Sequence, residues 1–225
     1  MAHKTRILIT DDHQLVIEGI LISLKEVGDF DVVTTNTCDA AFKLLKANQH
    51  THPFQILFTD LSFDNCEQGT KLVNGEDLIK ALKIQSIDVK VCVITAHTET
   101  NRMFNVISNL DPDAYLLKSK CTSSEIGFAI DKMLKNEHYY THEIHKKMMR
   151  RNIVQIQMDD IALQILKELP NHPKIINLEG VITKSDGSFI KLRSIEAKLA
   201  HLRIDLNANN NIDLILKAKE LGIID

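Results

Sequence analysis

Arg6–Leu24 reads RILITDDHQLVIEGILISL, and its two halves obey different periods. RILIT (Arg6–Thr10) is a short uninterrupted apolar run, as a parallel strand buried on both faces requires. Leu15, Val16, Ile20 and Leu24 then recur at helical spacing. The change of period falls on Asp11 and Asp12, so two carboxylates stand at the end of the strand. The same alternation repeats through the first 137 residues. Strands are predicted at DVVTT (Asp31–Thr35), QILFT (Gln55–Thr59), KVCVIT (Lys90–Thr95) and AYLL (Ala114–Leu117). Helices are predicted at Ala40–Ala47, Glu76–Ile84, Glu99–Ser108 and Ser123–Leu134. Five strands alternating with five helices imply an α/β, five-stranded, doubly wound parallel sheet. Ligands of such sheets bind at the carboxyl ends of the strands.

The residues at those ends form a chemical set. Asp11 and Asp12 follow the first strand, Asp60 the third and Lys118 the fifth, and Thr95 ends the fourth. Three carboxylates repel one another unless a cation joins them. Mg²⁺ suits such a site, taking one or two carboxylates together with phosphate oxygens and water. A phosphoryl group moving onto a carboxylate develops charge that a metal, an ammonium and a hydroxyl would stabilise.

Composition narrows the classes. The chain has 225 residues, 44% hydrophobic, with a formal net charge of −3. Residues 1–137 carry 14 Lys+Arg against 19 Asp+Glu (−5), and residues 138–225 carry 13 against 11 (+2). An acidic half joined to a mildly basic half fits a charged pocket in one domain and a polyanion contact in the other. Cys38, Cys66, Cys92 and Cys121 form no CxxC pair and read as reduced thiols of a cytoplasmic protein. No apolar run approaches the roughly 18 residues of a membrane span. MAHKTR leads directly into a strand, which speaks against a signal peptide.

Three segments are expected: a first domain at 1–137, a linker at 138–157 and a smaller, mainly α domain at 158–225. The linker begins HYYTHEIHKKMMRR, polar and partly helical. Its His138, His142 and His145 have helical spacing and could in principle bind Zn²⁺, but a linker histidine cluster of this kind reads as solvated. In the last segment a helix begins after a cap at Asp159 or Asp160 and stops at Pro170. A short helix is read at Lys174–Leu178, and ITKSDGSFIKL (Ile182–Leu192) alternates around Asp186-Gly187 as a hairpin does. Helices follow at Ser194–Leu206 and Ile212–Leu221. Ile195, Leu199, Leu202 and Leu206 form one apolar stripe, leaving Arg193, Ala197, Ala200 and His201 outward with Lys198 and Arg203 on the flanks.

ITDDHQLVIEG (Ile9–Gly19), FTD (Phe58–Asp60), ITA (Ile94–Ala96) and YLLK (Tyr115–Lys118) resemble the signature segments of two-component response-regulator receivers, of flavodoxin-like fold. The first is similar to the LuxR-type subfamily. The resemblance implies that Asp60 accepts the phosphoryl group from a sensor histidine kinase. It implies Mg²⁺ held by Asp12, Asp60 and the Ser62 backbone carbonyl, with Asp11 acting mainly through water. It makes Thr95 and Tyr115 the switch pair, sets Lys118 on the phosphoryl group, and implies a homodimer on phosphorylation. Arg193–Ile224 resembles the second half of a LuxR-type helix-turn-helix domain. That likeness makes DNA a partner, contacted by Lys191, Arg193, Ala197, Lys198, His201 and Arg203, and makes the chain a transcription regulator rather than an enzyme. An output domain that binds a protein instead of DNA is the alternative. Two features depart from the family: the loop from Asp60 to Gly75 is long and lacks proline, and Ser119 rather than proline follows Lys118.

Overall fold

The computed structural model describes residues 4–64 and 69–224, with only the backbone given for 152–157. Cys66 lies outside the described residues; Cys38, Cys92 and Cys121 form no disulfide. Contacts divide the chain into two compact units, residues 1–98 with 105–144 and residues 99–104 with 145–225.

The first unit is a parallel sheet flanked by helices. In chain order its elements are β1 (Arg6–Thr10), α1 (Gln14–Val27), β2 (Asp31–Thr35), α2 (Cys38–Asn48) and β3 (Ile56–Thr59). They continue with α3 (Gly75–Ile84), β4 (Lys90–Thr95), α4 (Thr100–Leu110, whose residues up to Phe104 fall in the second unit), β5 (Ala114–Leu117), α5 (Ser123–Leu134) and β6 (Tyr139–Tyr140). The strand order is β2-β1-β3-β4-β5-β6, with every pairing parallel. The five expected strands are present, and β6 corrects the count to six. This two-residue strand pairs with Ala114 and Tyr115 of β5. It sits in a polar stretch too short to show a period, which is why sequence pattern missed it.

The central strands are almost wholly buried, as their apolar runs require. Ile7, Ile9, Ile56, Phe58, Cys92 and Ile94 share one core with Ile17, Ile20 and Leu24 of α1 and Ile126, Ala129 and Met133 of α5. Burying each such aliphatic side chain contributes about 1.5–3 kcal/mol before chain entropy is set against it. Helix starts are fixed by side chains: Thr37 accepts from Ala40 N, Asn74 from Asp77 N and Thr122 from Glu125 N. A cap of this kind contributes about 1 kcal/mol.

The second unit contains most of α6 (His142–Gln157), then α7 (Asp160–Glu168), α8 (Leu192–Asp205) and α9 (Asn211–Glu220). Asp159 caps α7 through Ala162 N. The Asp186-Gly187 hairpin forms, with Gly187 at φ 81°, a Thr183–Phe189 bridge and an Ile190 N–H to Ile182 carbonyl bond of 3.0 Å. Ile195, Leu199, Leu202 and Leu206 all enter one core with Ile165, Leu166, Leu214 and Ala218.

Candidate functional site

The register of the sheet assembles the pocket. Thr10 of β1 pairs with Thr59 of β3, so Asp11 and Asp60, one residue on, leave adjacent strands side by side. Asp60 N donates to the Thr10 carbonyl at 3.2 Å and Asp11 N to the Thr35 carbonyl at 3.2 Å. The strand order changes direction between β1 and β3, where such sheets open a cleft. Thr95 pairs with Leu117, so Lys118 leaves the next edge and its long stem spans back over β4. Its Nζ lies 2.7 Å from Asp11 Oδ2 and 2.8 Å from Asp60 Oδ2.

Asp11, Asp60 and Thr95 are buried, and backbone amides hold all three. His13 N donates to Asp11 Oδ1 at 2.9 Å, Leu61 N to Asp60 Oδ1 at 2.6 Å, and His97 N to the Thr95 hydroxyl at 3.2 Å. Burial by itself pulls the Lys118 pKa down. Its hydrogen bonds to Asp11 and Asp60, and their charges, outweigh that and hold it above the ordinary lysine value. Lys118 is therefore an ammonium at neutral pH, and it faces the two carboxylates of Asp11 and Asp60.

Asp12 differs from its neighbours. Its Oδ2 accepts from Asp64 N at 2.7 Å. Its Oδ1 is buried and 2.9 Å from His13 Nδ1, without the alignment that a hydrogen bond needs. A buried carboxylate oxygen without a donor is free to take a hard cation, but Asp12 is not among the described residues whose ligand atoms cluster most tightly. Among the described residues, Asp11, His13 and Asp60 place ligand atoms within 4.8 Å of one another. Tyr115 is fully buried on β5, and Ser62 is half-buried with its hydroxyl 2.7 Å from His97 Nε2.

His13 and His97 escaped the sequence reading. His13 completes the Asp-Asp-His triplet, a signal that was present. Nothing local links His97 to Ser62, because they stand 35 residues apart.

On α8, Arg193, Ala197 and His201 are exposed, as is Lys191 before it, while Ala200 is half-buried. Lys198 and Arg203 already have partners. Lys198 Nζ lies 2.5 Å from Asp159 Oδ2, and Arg203 Nη1 donates to Asn211 Oδ1 at 2.8 Å. The hydrogen bond from Lys198 is the main reason that the Asp159 carboxyl titrates below the ordinary range.

A paired, buried acidic pocket at the switch point of a β2-β1-β3-β4-β5 sheet defines a phosphate-accepting receiver. The chain belongs to the response regulator family, its residues 7–131 matching the response regulator receiver domain. It is similar to the oxygen regulatory protein NreC of Staphylococcus epidermidis, at 24% identity over 98% of this chain and 99% of that one. It is also similar to the response regulator protein VraR of Staphylococcus saprophyticus, at 22% over 97% and 98%. In fold it matches RcsB, solved as two dimers bound to two parallel DNAs, with a TM-score of 0.61 at 19% identity, covering 97% of this chain and 99% of that one. RcsB from Salmonella enterica serovar Typhimurium, bound to promoter rprA with phosphomimetic BeF3-, matches with a TM-score of 0.56 at 20% identity over 96% and 99%. Among the described residues, no helix is long and apolar enough to cross a membrane.

Proposed function

We propose that this response regulator is a cytoplasmic transcription factor whose Asp60 is phosphorylated by a sensor histidine kinase, and that phosphorylation drives homodimerisation and DNA binding. The observation that carries the reading is the placing of Lys118 Nζ between Asp11 and Asp60. One ammonium so held neutralises the acceptor before transfer and is poised against a phosphoryl oxygen afterwards.

In the transfer, an Asp60 oxygen forms the new P–O bond as the P–N bond to the kinase histidine breaks. The imidazole leaves with the electron pair of that bond. Asp11, Asp12 and Asp60, with the Ser62 carbonyl, would hold Mg²⁺, which when bound offsets charge on the phosphoryl oxygens. The Leu61 N–H keeps one Asp60 oxygen fixed, so the carboxylate meets phosphorus in one orientation. Once Asp60 is phosphorylated, the Thr95 hydroxyl turns toward the new oxygens; Tyr115, which the switch pair would have turn inward, is already fully buried before phosphorylation. The repacked face around β5 biases the domain toward a dimer.

For the output, fold neighbours include a regulator solved on DNA, and α8 exposes Arg193, Ala197 and His201 on one side, with Lys191 exposed just before it. Small residues flanked by cations suit a major groove. The test is a gel-shift series of the full chain, with and without a small-molecule phosphoryl donor in Mg²⁺, across salt. Phosphorylation-dependent retardation that falls steeply with salt supports DNA output. A phosphorylated dimer that retards no DNA at low salt favours a protein-binding output.

A further inference from the structure

The segment that follows α5 begins as part of the sheet. Its first residues lie along the sheet edge as β6, where Tyr139 pairs with Ala114 and Tyr140 with Tyr115. Tyr139 N donates to the Asp113 carbonyl at 2.9 Å. Three side chains pin the same stretch. His138 Nε2 lies 3.2 Å from Asp111 Oδ1, the Tyr139 hydroxyl donates to Glu125 Oε2 of α5 at 2.8 Å, and the Tyr140 hydroxyl donates to the Pro112 carbonyl at 3.2 Å. Thr141 and Ile144 are buried, and α6 begins between them at His142. The start of α6 is thereby fixed to the strand that carries Tyr115.

Two features make this joint the one that yields first. The β1–β3, β3–β4 and β4–β5 ladders each pair four residues, whereas β5–β6 pairs two, at the edge. Short edge pairings open locally while the centre of a sheet stays closed. The other feature is Thr141, whose hydroxyl is buried without a hydrogen-bond partner among the described residues. A hydroxyl so placed raises the energy of the closed arrangement, and it regains hydrogen bonds in water once β6 lifts away. The anchors hold β6 down and Thr141 works against them. The route from the pocket is short: Thr95 pairs with Leu117 and Val93 with Tyr115, so a shift at the end of β4 reaches β5 first and β6 next.

We propose that β6 is a latch: it ties the start of α6 to β5 beside Tyr115, and phosphorylation of Asp60 releases it. The proposal rests on the reading of Asp60 as the acceptor and of Thr95 and Tyr115 as the switch pair. Release frees the first turn of α6 from β5, and the dimer requires that freedom.

The experiment is amide hydrogen exchange at Tyr139, Tyr140 and Thr141 in the full chain, before and after a small-molecule phosphoryl donor in Mg²⁺, with intact mass reporting the phosphorylated fraction and light scattering the dimer. Two variants push the latch in opposite directions. Tyr139→Phe keeps the ring that packs on the core and loses the bond to Glu125. Thr141→Val keeps the shape of the side chain and replaces the orphan hydroxyl with a methyl group. Phosphorylation of the parent should speed exchange at the three amides while those of β4 stay protected. Without phosphorylation, Tyr139→Phe should exchange there about three- to tenfold faster than the parent, the effect of one hydrogen bond of ordinary net strength, and Thr141→Val should exchange more slowly. Tyr139→Phe should dimerise at a smaller phosphorylated fraction than the parent, and Thr141→Val at a larger one. A phosphorylated parent whose three amides exchange as before overturns the latch. So does a Tyr139→Phe variant that loosens β6 yet dimerises as the parent does, because the joint would then be structural only. A parent that takes no phosphoryl group overturns the acceptor reading itself, which the mass distinguishes from both.

Discussion

Gly75 lies against the backbone of Asp60 so closely that a Cβ on it would sit 1.9 Å from the Asp60 carbonyl oxygen and 2.9 Å from its carbonyl carbon. The obstacle is backbone, which cannot rotate away. The first residue of α3 must therefore be glycine if the helix is to start where the loop returns to β3.

Gly75→Ala should destabilise the receiver by at least about 1–3 kcal/mol, the range for overpacking a tight site. Gly19→Ala is the contrast: Gly19 lies within α1 with nothing within 4 Å of its added Cβ. It should stabilise by about 0.4–1 kcal/mol. Urea denaturation of both variants against the parent measures the difference; a Gly75→Ala variant as stable as the parent contradicts the contact.

Lys118→Ala leaves Asp11 and Asp60 buried beside each other with no cation in metal-free protein. Its cost should lie near the lower end of the roughly 3–5 kcal/mol seen when one partner of a buried pair is removed. The folded pKa of Lys118 stands above 10.5. The stability it contributes is therefore complete below about 10.5 and is lost as pH rises through the folded pKa. The gap between parent and Lys118→Ala, measured by denaturation in chelator, should be constant from pH 7 to 9 and narrow above 10.5. A gap that widens there refutes the ion pair.

Thr95→Ala removes the hydroxyl that accepts the His97 amide. It should leave Asp60 able to take a phosphoryl group but uncouple that event from assembly. Light scattering checks this: the parent should gain mass on phosphorylation and the variant should stay at its starting mass. A normal gain in the variant removes Thr95 from the switch.

The outer face of α8 separates two kinds of cation. Lys191 and Arg193 are exposed, whereas Lys198 is bound to the carboxylate that caps α7. Lys191→Ala should flatten the salt dependence of DNA binding by about one unit, and Arg193→Ala should relax base preference by about 1–3 kcal/mol if its contact is bidentate. Lys198→Ala should lower the melting temperature and barely change the salt slope. A full one-unit change in slope from Lys198→Ala would mean that Lys198 leaves Asp159 for phosphate.

Much of the receiver was legible because its signals are local. A buried parallel strand must be an apolar run, so β1, β4 and β5 were bounded to the residue, as was the half-buried β2 by its run of β-branched residues. Parallel strands place their ends on one edge, so Asp11, Asp60, Thr95 and Lys118 could be gathered without knowing a distance. What escaped was either too short or too far apart in sequence. β6 is two residues in polar sequence, and α6 runs 16 residues where only partial helix was read. The hydrogen bonds from Lys71 N and Leu72 N to the Asp39 carboxylate span 32 and 33 residues, and the Ser62–His97 bond spans 35. The partners of Lys198 and Arg203 were hidden for the same reason: helical periodicity tells which way a side chain points, not what meets it there.

The most direct measurement is intact-mass and peptide analysis of the full chain after exposure to a small-molecule phosphoryl donor in Mg²⁺, for the parent and for Asp60→Asn. The parent should gain one phosphoryl group, mapped to the peptide containing Asp60 and lost on mild base treatment. Asp60→Asn should gain none. Stable labelling of Asp60→Asn, or a parent label that maps to any other residue, would contradict the assignment of Asp60 as the acceptor.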